Sequence, residues 1–170
     1  DRQRKTEIRN FDVIESTSVA IANEKLYCNY AEGFVGYKLK GEEYVCDCST
    51  MDDVIVIRKD GIFSIRKIQE KEYVGKKILY VGVFKKNDTR TTFNVVYQDG
   101  AFGKFYVKRF NITSIIRSKE YDITQGTKGS KIVYLSVNPN GEAEVINVAL
   151  KSAPRMKTNR NLSKDLMEIF

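Results

Sequence analysis

A short hairpin unit recurs along the chain, and this repetition limits the possible folds more than any other feature. Residues 54–57 are four consecutive apolar residues, as expected for an inner strand buried on both faces. The Lys-Asp-Gly turn at 59–61 tolerates the positive φ of a tight hairpin, and residues 62–68 form the returning strand. Residues 93–110 repeat this order, with the turn at 98–100. Repeated antiparallel hairpins indicate an all-β fold.

Two further copies of the unit are predicted on either side of this pair. In the later copy, a strand at 131–135 turns at 138–141 and returns through 144–150. In the earlier and weaker copy, a strand at 19–22 returns through 25–27. Because apolar residues at helical spacing are scarce elsewhere, the chain is expected to be nearly all β.

The turns of the four copies are almost evenly spaced. Turn markers at Glu24, Gly61, Gly100 and Gly141 are separated by 37, 39 and 41 residues. A period of about 40 residues with room for four short strands is typical of the blades of a β-propeller. An ordinary β-sandwich with evenly spaced hairpins is the alternative.

The period also gives expected boundaries. About four blades, in a ring that is open or truncated, are predicted over residues 1–150, and residues 151–170 are expected to be a tail or the start of a further blade. The blades are predicted near 17–50, 51–90, 91–130 and 131–150 onward.

The composition excludes several classes of protein. With 42% apolar and 30% charged residues, a chain of 170 residues can bury a core and is not composed like a disordered tail. No apolar run approaches the roughly 18 residues of a membrane helix, so no membrane partner is expected. The chain has no histidine, which removes the usual general base and the commonest metal ligand. An independent enzyme is therefore disfavoured, and no catalytic residue is assigned.

Three cysteines are present, and an odd number favours a reducing compartment over a disulfide framework. Cys46-Asp47-Cys48 resembles half of a metal site, but a four-ligand zinc site would need carboxylates in addition. The same spacing fits two alternating strand positions, and no metal site is predicted.

Positive charge is concentrated in the middle of the chain. Residues 51–120 carry 15 basic and 8 acidic side chains, whereas 1–50 and 121–170 have net charges of −2 and +2. The basic residues there occur in pairs, at 66–67, 76–77, 85–86 and 108–109. Pairs at one place in each blade would form a stripe that follows the phosphates of a curved duplex. Lysines on strand edges also prevent edge-to-edge aggregation, which is the alternative explanation.

Residues 52–61, 65–68 and 73–77 together resemble the blade repeat in the C-terminal domain of the A subunits of bacterial type II topoisomerases, gyrase and topoisomerase IV. The similarity extends over about 17–150 and includes the segments 125–130 and 138–143. The resemblance implies a β-pinwheel, a propeller whose blades exchange strands and whose basic rim binds and bends duplex DNA. It also implies that the catalytic tyrosine, the metal-binding carboxylates and the ATPase site lie outside this segment.

Gyrase carries a basic, glycine-rich box in its first blade. The equivalent loop here, 29–38, retains Gly33, Gly36 and Lys38, but it lacks the arginine pair and contains Glu32. This degenerate box favours a protein similar to topoisomerase IV, which relaxes and decatenates DNA, over a gyrase.

The predicted function is a non-catalytic module that binds and bends duplex DNA largely without sequence preference. The expected partners are duplex DNA, the remainder of the topoisomerase polypeptide and the ATPase subunit, in the cytoplasm at the bacterial nucleoid. ATP and Mg²⁺ are expected only elsewhere in the parent enzyme. A propeller that binds an acidic protein is the alternative. The candidate DNA-binding residues are Arg66, Lys67, Lys76, Lys77, Lys108, Arg109, Arg117, Lys119, Lys128 and Lys131.

Overall fold

The computed structural model describes residues 23–39, 41–142, 144–149 and 161–165, and all regular structure in these ranges is β-strand. Among the described residues there is no helix long and apolar enough to cross a membrane. The strands are β1 Glu24–Asn29, β2 Phe34–Gly36, β3 Glu43–Cys48, β4 Asp53–Arg58, β5 Ile62–Lys67, β6 Glu72–Tyr73, β7 Ile78–Phe84, β8 Thr92–Gln98, β9 Phe105–Asn111, β10 Glu120–Asp122, β11 Lys131–Asn138, β12 Val145–Ala149 and β13 Asn161–Asp165.

These strands form four antiparallel sheets, which we call A to D in chain order. Sheet A has the strand order β3-β1-β2-β6, and sheet B has the order β10-β5-β4-β7. The described strands of sheet C are ordered β11-β8-β9, and those of sheet D are β12 and β13. The predicted all-β fold of four-strand blades is confirmed, with two complete four-strand sheets in the described part of the chain.

One strand of each four-strand sheet comes from the following unit. After the hairpin β4–β5, the chain returns to sheet A as β6, which pairs with β2. It then comes back to sheet B as β7, which pairs with β4 and which we call the closing strand of that sheet. The third unit repeats this path, because β10 returns to sheet B and pairs with β5. The exchange fastens neighbouring sheets through backbone hydrogen bonds, as expected of a β-pinwheel.

One of the four predicted hairpins is wrong. The strand at 131–138 does not pair with 145–149. It closes sheet C beside β8, and β12 instead forms a hairpin with β13. The turn at 138–141 is real, since the Gly141 amide donates to the Asn138 carbonyl at 3.2 Å, but it joins two sheets.

In the first unit, residues 25–27 belong to β1, which begins the hairpin β1–β2. The predicted partner strand at 19–22 lies outside the described residues. Among the described strands, the hairpins start at residues 24, 53, 92 and 145, and their spacing is less regular than the turn markers indicated.

The core lies between the sheets, and β4 contributes to it from both faces. Val54 and Val56 pack with Leu26 and Cys28 of sheet A. Ile55 and Ile57 point the other way, into the cluster formed with sheet C. All four residues of 54–57 are at most 3% exposed, which confirms the predicted inner strand buried on both faces.

Candidate nucleic-acid interface

The hairpin turns of sheets B and C lie on the same side of the domain. The first residues of β7 and β11 pair with the last residues of β4 and β8, in the contacts Ile78 to Arg58 and Lys131 to Gln98. The segments 74–77 and 123–130 therefore cross from one turn region to the next, because each joins an exchanged strand to a closing strand. We call this side the turn face.

Six exposed lysines lie on the turn face, and we call them the lysine row. None of the six makes a salt bridge with another residue in the part of the chain that the structure describes. They are Lys59, Lys76, Lys77, Lys104, Lys128 and Lys131.

Backbone hydrogen bonds connect successive members of the lysine row across the sheets. The Lys59 amide donates to the Lys77 carbonyl at 2.8 Å, and the Ile132 amide donates to the Lys59 carbonyl at 2.8 Å. On sheet C, the Asp99 amide donates to the Lys104 carbonyl at 2.9 Å. The positive charges are therefore carried on segments whose relative positions are fixed by hydrogen bonds.

Acidic side chains beside the lysine row are engaged by other groups. Arg58 pairs with Glu120 at 2.9 Å and with Asp60 at 3.2 Å. Asp99 accepts a hydrogen bond from the Thr127 hydroxyl at 2.9 Å, and Asp122 accepts one from the Thr124 amide at 2.7 Å. Within the described ranges, these contacts leave the lysine row without an acidic partner.

The turn end of sheet A has the opposite charge. Glu32 lies in the turn between β1 and β2, and Glu42 and Glu43 stand at the start of β3, which pairs with the end of β1. All three are exposed. The cationic surface therefore covers sheets B and C and ends at sheet A.

The ten predicted DNA-binding residues do not share one surface. Lys76, Lys77, Lys128 and Lys131 belong to the lysine row. Lys67, Arg117 and Lys119 are exposed toward the other end of sheet B, where Asp53 pairs with Arg117 at 2.9 Å and stands opposite Lys67 in the strand register. The ten residues therefore do not form one continuous stripe, and which of them contact DNA stays a prediction.

Arg66, Lys108 and Arg109 make internal contacts. Arg66 pairs with Glu72 of the exchanged strand β6 at 2.8 Å, and Lys108 donates to the Ile123 carbonyl that follows β10. Adjacent residues of a strand point to opposite faces of the sheet, so the two members of the pair 66–67 or 108–109 cannot lie on the same face. Sequence reasoning missed Lys59 and Lys104, although each stands in or beside a hairpin turn.

Arg109 is the most strongly buried of the predicted DNA-binding residues, at 9% exposure. Its guanidinium donates to the carbonyls of Gly141 at 3.0 Å and Glu142 at 3.3 Å, and to the side-chain oxygen of Asn94 at 3.2 Å. These contacts fix the turn that leads from sheet C toward sheet D, which is a structural role.

Glu144 completes the polar network around Arg109. Burial by itself raises the pKa of Glu144, but hydrogen bonds from Ser136, Tyr134, Asn94 and Asn138 outweigh burial and hold the pKa below its usual value. The Asn94 amide, which is fully buried, donates to Glu144 at 2.6 Å. The face of sheet C directed away from the core with sheet B is therefore held by hydrogen bonds.

The degenerate glycine box lies where the exchanged segment crosses sheet A. A Cβ at Gly33 would stand 2.3 Å from the Gly75 carbonyl oxygen, and a Cβ at Gly36 would stand 2.3 Å from that of Glu70. Lys38, the third residue of the box, is ion-paired with Glu70. The two glycines are required by the close passage of residues 70–75 in this domain.

The cysteines occupy strand positions. Cys46 and Cys48 lie on β3, and Cys28 lies on β1. Burial raises the pKa of Cys28 to about 12 and that of Cys48 to about 11, with smaller contributions from nearby carboxylates and, for Cys48, from Cys46. The thiols are therefore protonated at neutral pH, and the alternating-strand interpretation of Cys46 and Cys48 is confirmed.

The fold and this surface define an all-β, strand-exchanged blade domain with a cationic turn face. The sequence profile of the family described as "Topoisomerase C-terminal domain, Bacteroidota" matches residues 25–169. The chain belongs to this family of topoisomerase C-terminal domains.

The chain is also 30% identical over 140 residues to the A subunit of DNA topoisomerase 4 from Borreliella burgdorferi. The aligned region covers 82% of this chain and 22% of that relative's length. No solved structure matches the chain.

Proposed function

We propose that the lysine row binds the phosphate backbone of duplex DNA, and that the domain does so as part of the A subunit of a type II topoisomerase. The observation that carries this proposal is the run of six exposed lysines on the turns and connecting segments of sheets B and C, which make no salt bridge with any described residue. Neutralising phosphates with lysine releases condensed counterions and supplies affinity with little dependence on base sequence. Lysine acts here as a point charge and cannot read base pairs through a fixed fork as arginine does.

The distribution of charge also supports bending of the bound duplex. The lysine row passes from the turns of sheet B along segment 123–130 to the turns of sheet C, so its phosphate contacts follow the arrangement of the blades. Bending a site of 20 to 30 base pairs smoothly costs about 1–6 kcal/mol, which additional phosphate contacts repay. The acidic turn end of sheet A sets one limit of this DNA track.

In the parent enzyme, the domain holds DNA for the remainder of its own polypeptide and for the ATPase subunit, which together carry out ATP-dependent strand passage. The glycine box without its arginine pair favours relaxation and decatenation, the activities expected of a topoisomerase IV. The proposed setting is the bacterial cytoplasm, at the nucleoid.

Removing three charges from the lysine row tests the proposal. The variant K76Q/K77Q/K128Q is compared with K67Q/K85Q/K86Q, which removes the same charge toward the other end of the blades. A fluorescent 40-base-pair duplex of random sequence is titrated with each protein at several salt concentrations. The lysine-row variant should bind about 10- to 100-fold more weakly at low salt, with a log–log salt slope flatter by about 2 to 3.

The control variant should stay within about threefold of the wild type, because its lysines lie away from the proposed track. Equal losses in the two variants would show that only net charge matters and would contradict the lysine row. If the wild type does not bind DNA even at low salt but does bind an acidic protein, the ligand of this surface is a protein and not DNA.

A further inference from the structure

Phe102 is the most exposed large apolar side chain in the described part of the chain, at 99%. It stands at the apex of the turn between β8 and β9, where solvated turns usually carry small or polar residues. A fully exposed aromatic ring contributes nothing to the core and is accessible to another molecule.

The turn that carries Phe102 is closed at its base. The Asp99 amide donates to the Lys104 carbonyl at 2.9 Å, and the Gln98 side-chain amide donates to the Gly103 carbonyl at 3.2 Å. A Cβ at Gly103 would stand 1.7 Å from the Asp99 carbonyl oxygen, so only glycine permits this closure. Phe102 is therefore presented by a compact turn.

A second loop braces the turn from the side. The Gly100 amide donates to the Ser130 hydroxyl at 2.8 Å, and Thr127 and Ser130 both hydrogen-bond the Asp99 carboxylate, at 2.9 and 3.1 Å. Gly129 packs so closely that a Cβ there would stand 3.2 Å from the Ala101 amide nitrogen. The apex is held in place before any ligand arrives.

The surroundings of the apex carry positive charge. Lys104 closes the turn itself, Lys128 lies in the bracing loop, and Lys131 pairs with the last residue of β8. The carboxylate of Asp99 is the only acidic group within residues 98–105, and it is hydrogen-bonded to the bracing loop. A polyanion fits these surroundings better than an apolar or cationic protein surface.

The geometry points to Phe102 as a wedge that inserts into the bound duplex and partly unstacks a base step. This inference rests on the proposed DNA-binding function and adds the means of bending. Proteins that kink DNA insert Phe, Leu, Ile, Met or Pro between base steps, while basic residues hold the flanking phosphates. The lysine row supplies the phosphate contacts, and Phe102 supplies the apolar side chain.

The experiment measures affinity and bending separately with the 170-residue chain. A 40-base-pair duplex carries a fluorophore pair at its ends, so that energy transfer reports the bend and anisotropy reports binding. F102S should bind within about fivefold of the wild type with the same salt slope, but the bend signal should fall to about half or less. F102L should keep most of the bend, because leucine also serves as a wedge.

I116S is the matched control. Ile116 is another strongly exposed apolar residue, at 64%, and it lies outside the turn face. I116S should bind and bend as the wild type does, and all three variants should melt at the wild-type temperature, since the replaced side chains are exposed.

The outcomes separate the two proposals. If F102S binds and bends DNA like the wild type, the wedge is overturned while DNA binding stands. The exposed ring would then have a protein as its partner. If the wild type binds but does not bend the duplex, the wedge is also overturned. If the wild type does not bind, the proposed function fails and the wedge fails with it.

Discussion

The variant Gly36→Ala is expected to lower the free energy of unfolding by about 2–4 kcal/mol, because a Cβ at this position collides with the exchanged segment. The three nearest atoms to that Cβ all belong to the backbone of Glu70 and Lys71, at 2.3 to 2.8 Å. No side-chain rotation relieves such a contact, so the segment that leads into β6 has to move away from β2. Urea denaturation of the 170-residue chain measures the loss.

Gly41→Ala is the control for Gly36→Ala. A Cβ at Gly41 meets nothing within 4 Å, although its φ of +99° makes alanine unfavourable there. Hydrogen exchange distinguishes a collision with the chain before β6 from an unfavourable φ. The amides of Tyr37 and Lys38 donate to the carbonyls of Gln69 and Glu70 at 3.2 and 3.0 Å. These amides should lose protection in Gly36→Ala only. Wild-type stability with both amides protected would contradict the strand exchange.

The variant Arg109→Met is expected to destabilise the domain by about 2–4 kcal/mol, since hydrogen bonds made by a buried charged group contribute more than neutral ones. Methionine fills similar volume but leaves the carbonyls of Gly141 and Glu142 and the Asn94 oxygen without this donor. Unfolding in urea measures the loss.

Arg90→Met is the matched substitution at an exposed arginine, and it should change stability by less than about 0.5 kcal/mol. A second readout separates structure from DNA contact. Under conditions in which Arg109→Met remains folded, its salt slope for duplex binding should equal that of the wild type. Unchanged stability together with a flatter slope would return Arg109 to the DNA-binding surface.

The sequence predicted the inner strand of sheet B correctly because its signal is local. Four consecutive apolar residues at 54–57 followed by an Asp-Gly turn identify both the strand and its hairpin partner. The pairing of β11 was mispredicted because no local signal identifies its partner strand. Its apolar pattern fits either neighbour, and the turn at 138–141 has the same residues whether it joins strands of one sheet or two sheets.

The exchanged strands have almost no sequence signal of their own. β6 has two residues and β10 has three, and each pairs with a strand of the preceding unit. Only the resemblance to a known family implied the exchange. The contact between Gly36 and the Glu70 carbonyl shows that this chain needs a glycine at position 36, a reason that becomes visible only when residues 70–75 are placed beside β2.

The charge count identified the middle of the chain as basic, but it did not identify which surface the exposed lysines share. Counting cannot tell that Arg109 is buried while its neighbours on the turns are exposed, because burial depends on which face of a strand packs against another sheet. That Lys59, Lys104 and Lys128 share the turn face becomes visible only when the sheets are assembled.

The measurement that tests the central claim most directly is a map of lysine protection. The chain is acetylated with and without a saturating 40-base-pair duplex at low salt, and modification at each lysine is measured by mass spectrometry. We expect DNA to protect the lysine row, while Lys67, Lys85 and Lys86 react at their free rates. Protection of those three lysines with the lysine row unprotected would contradict the assignment of the turn face as the DNA-binding surface.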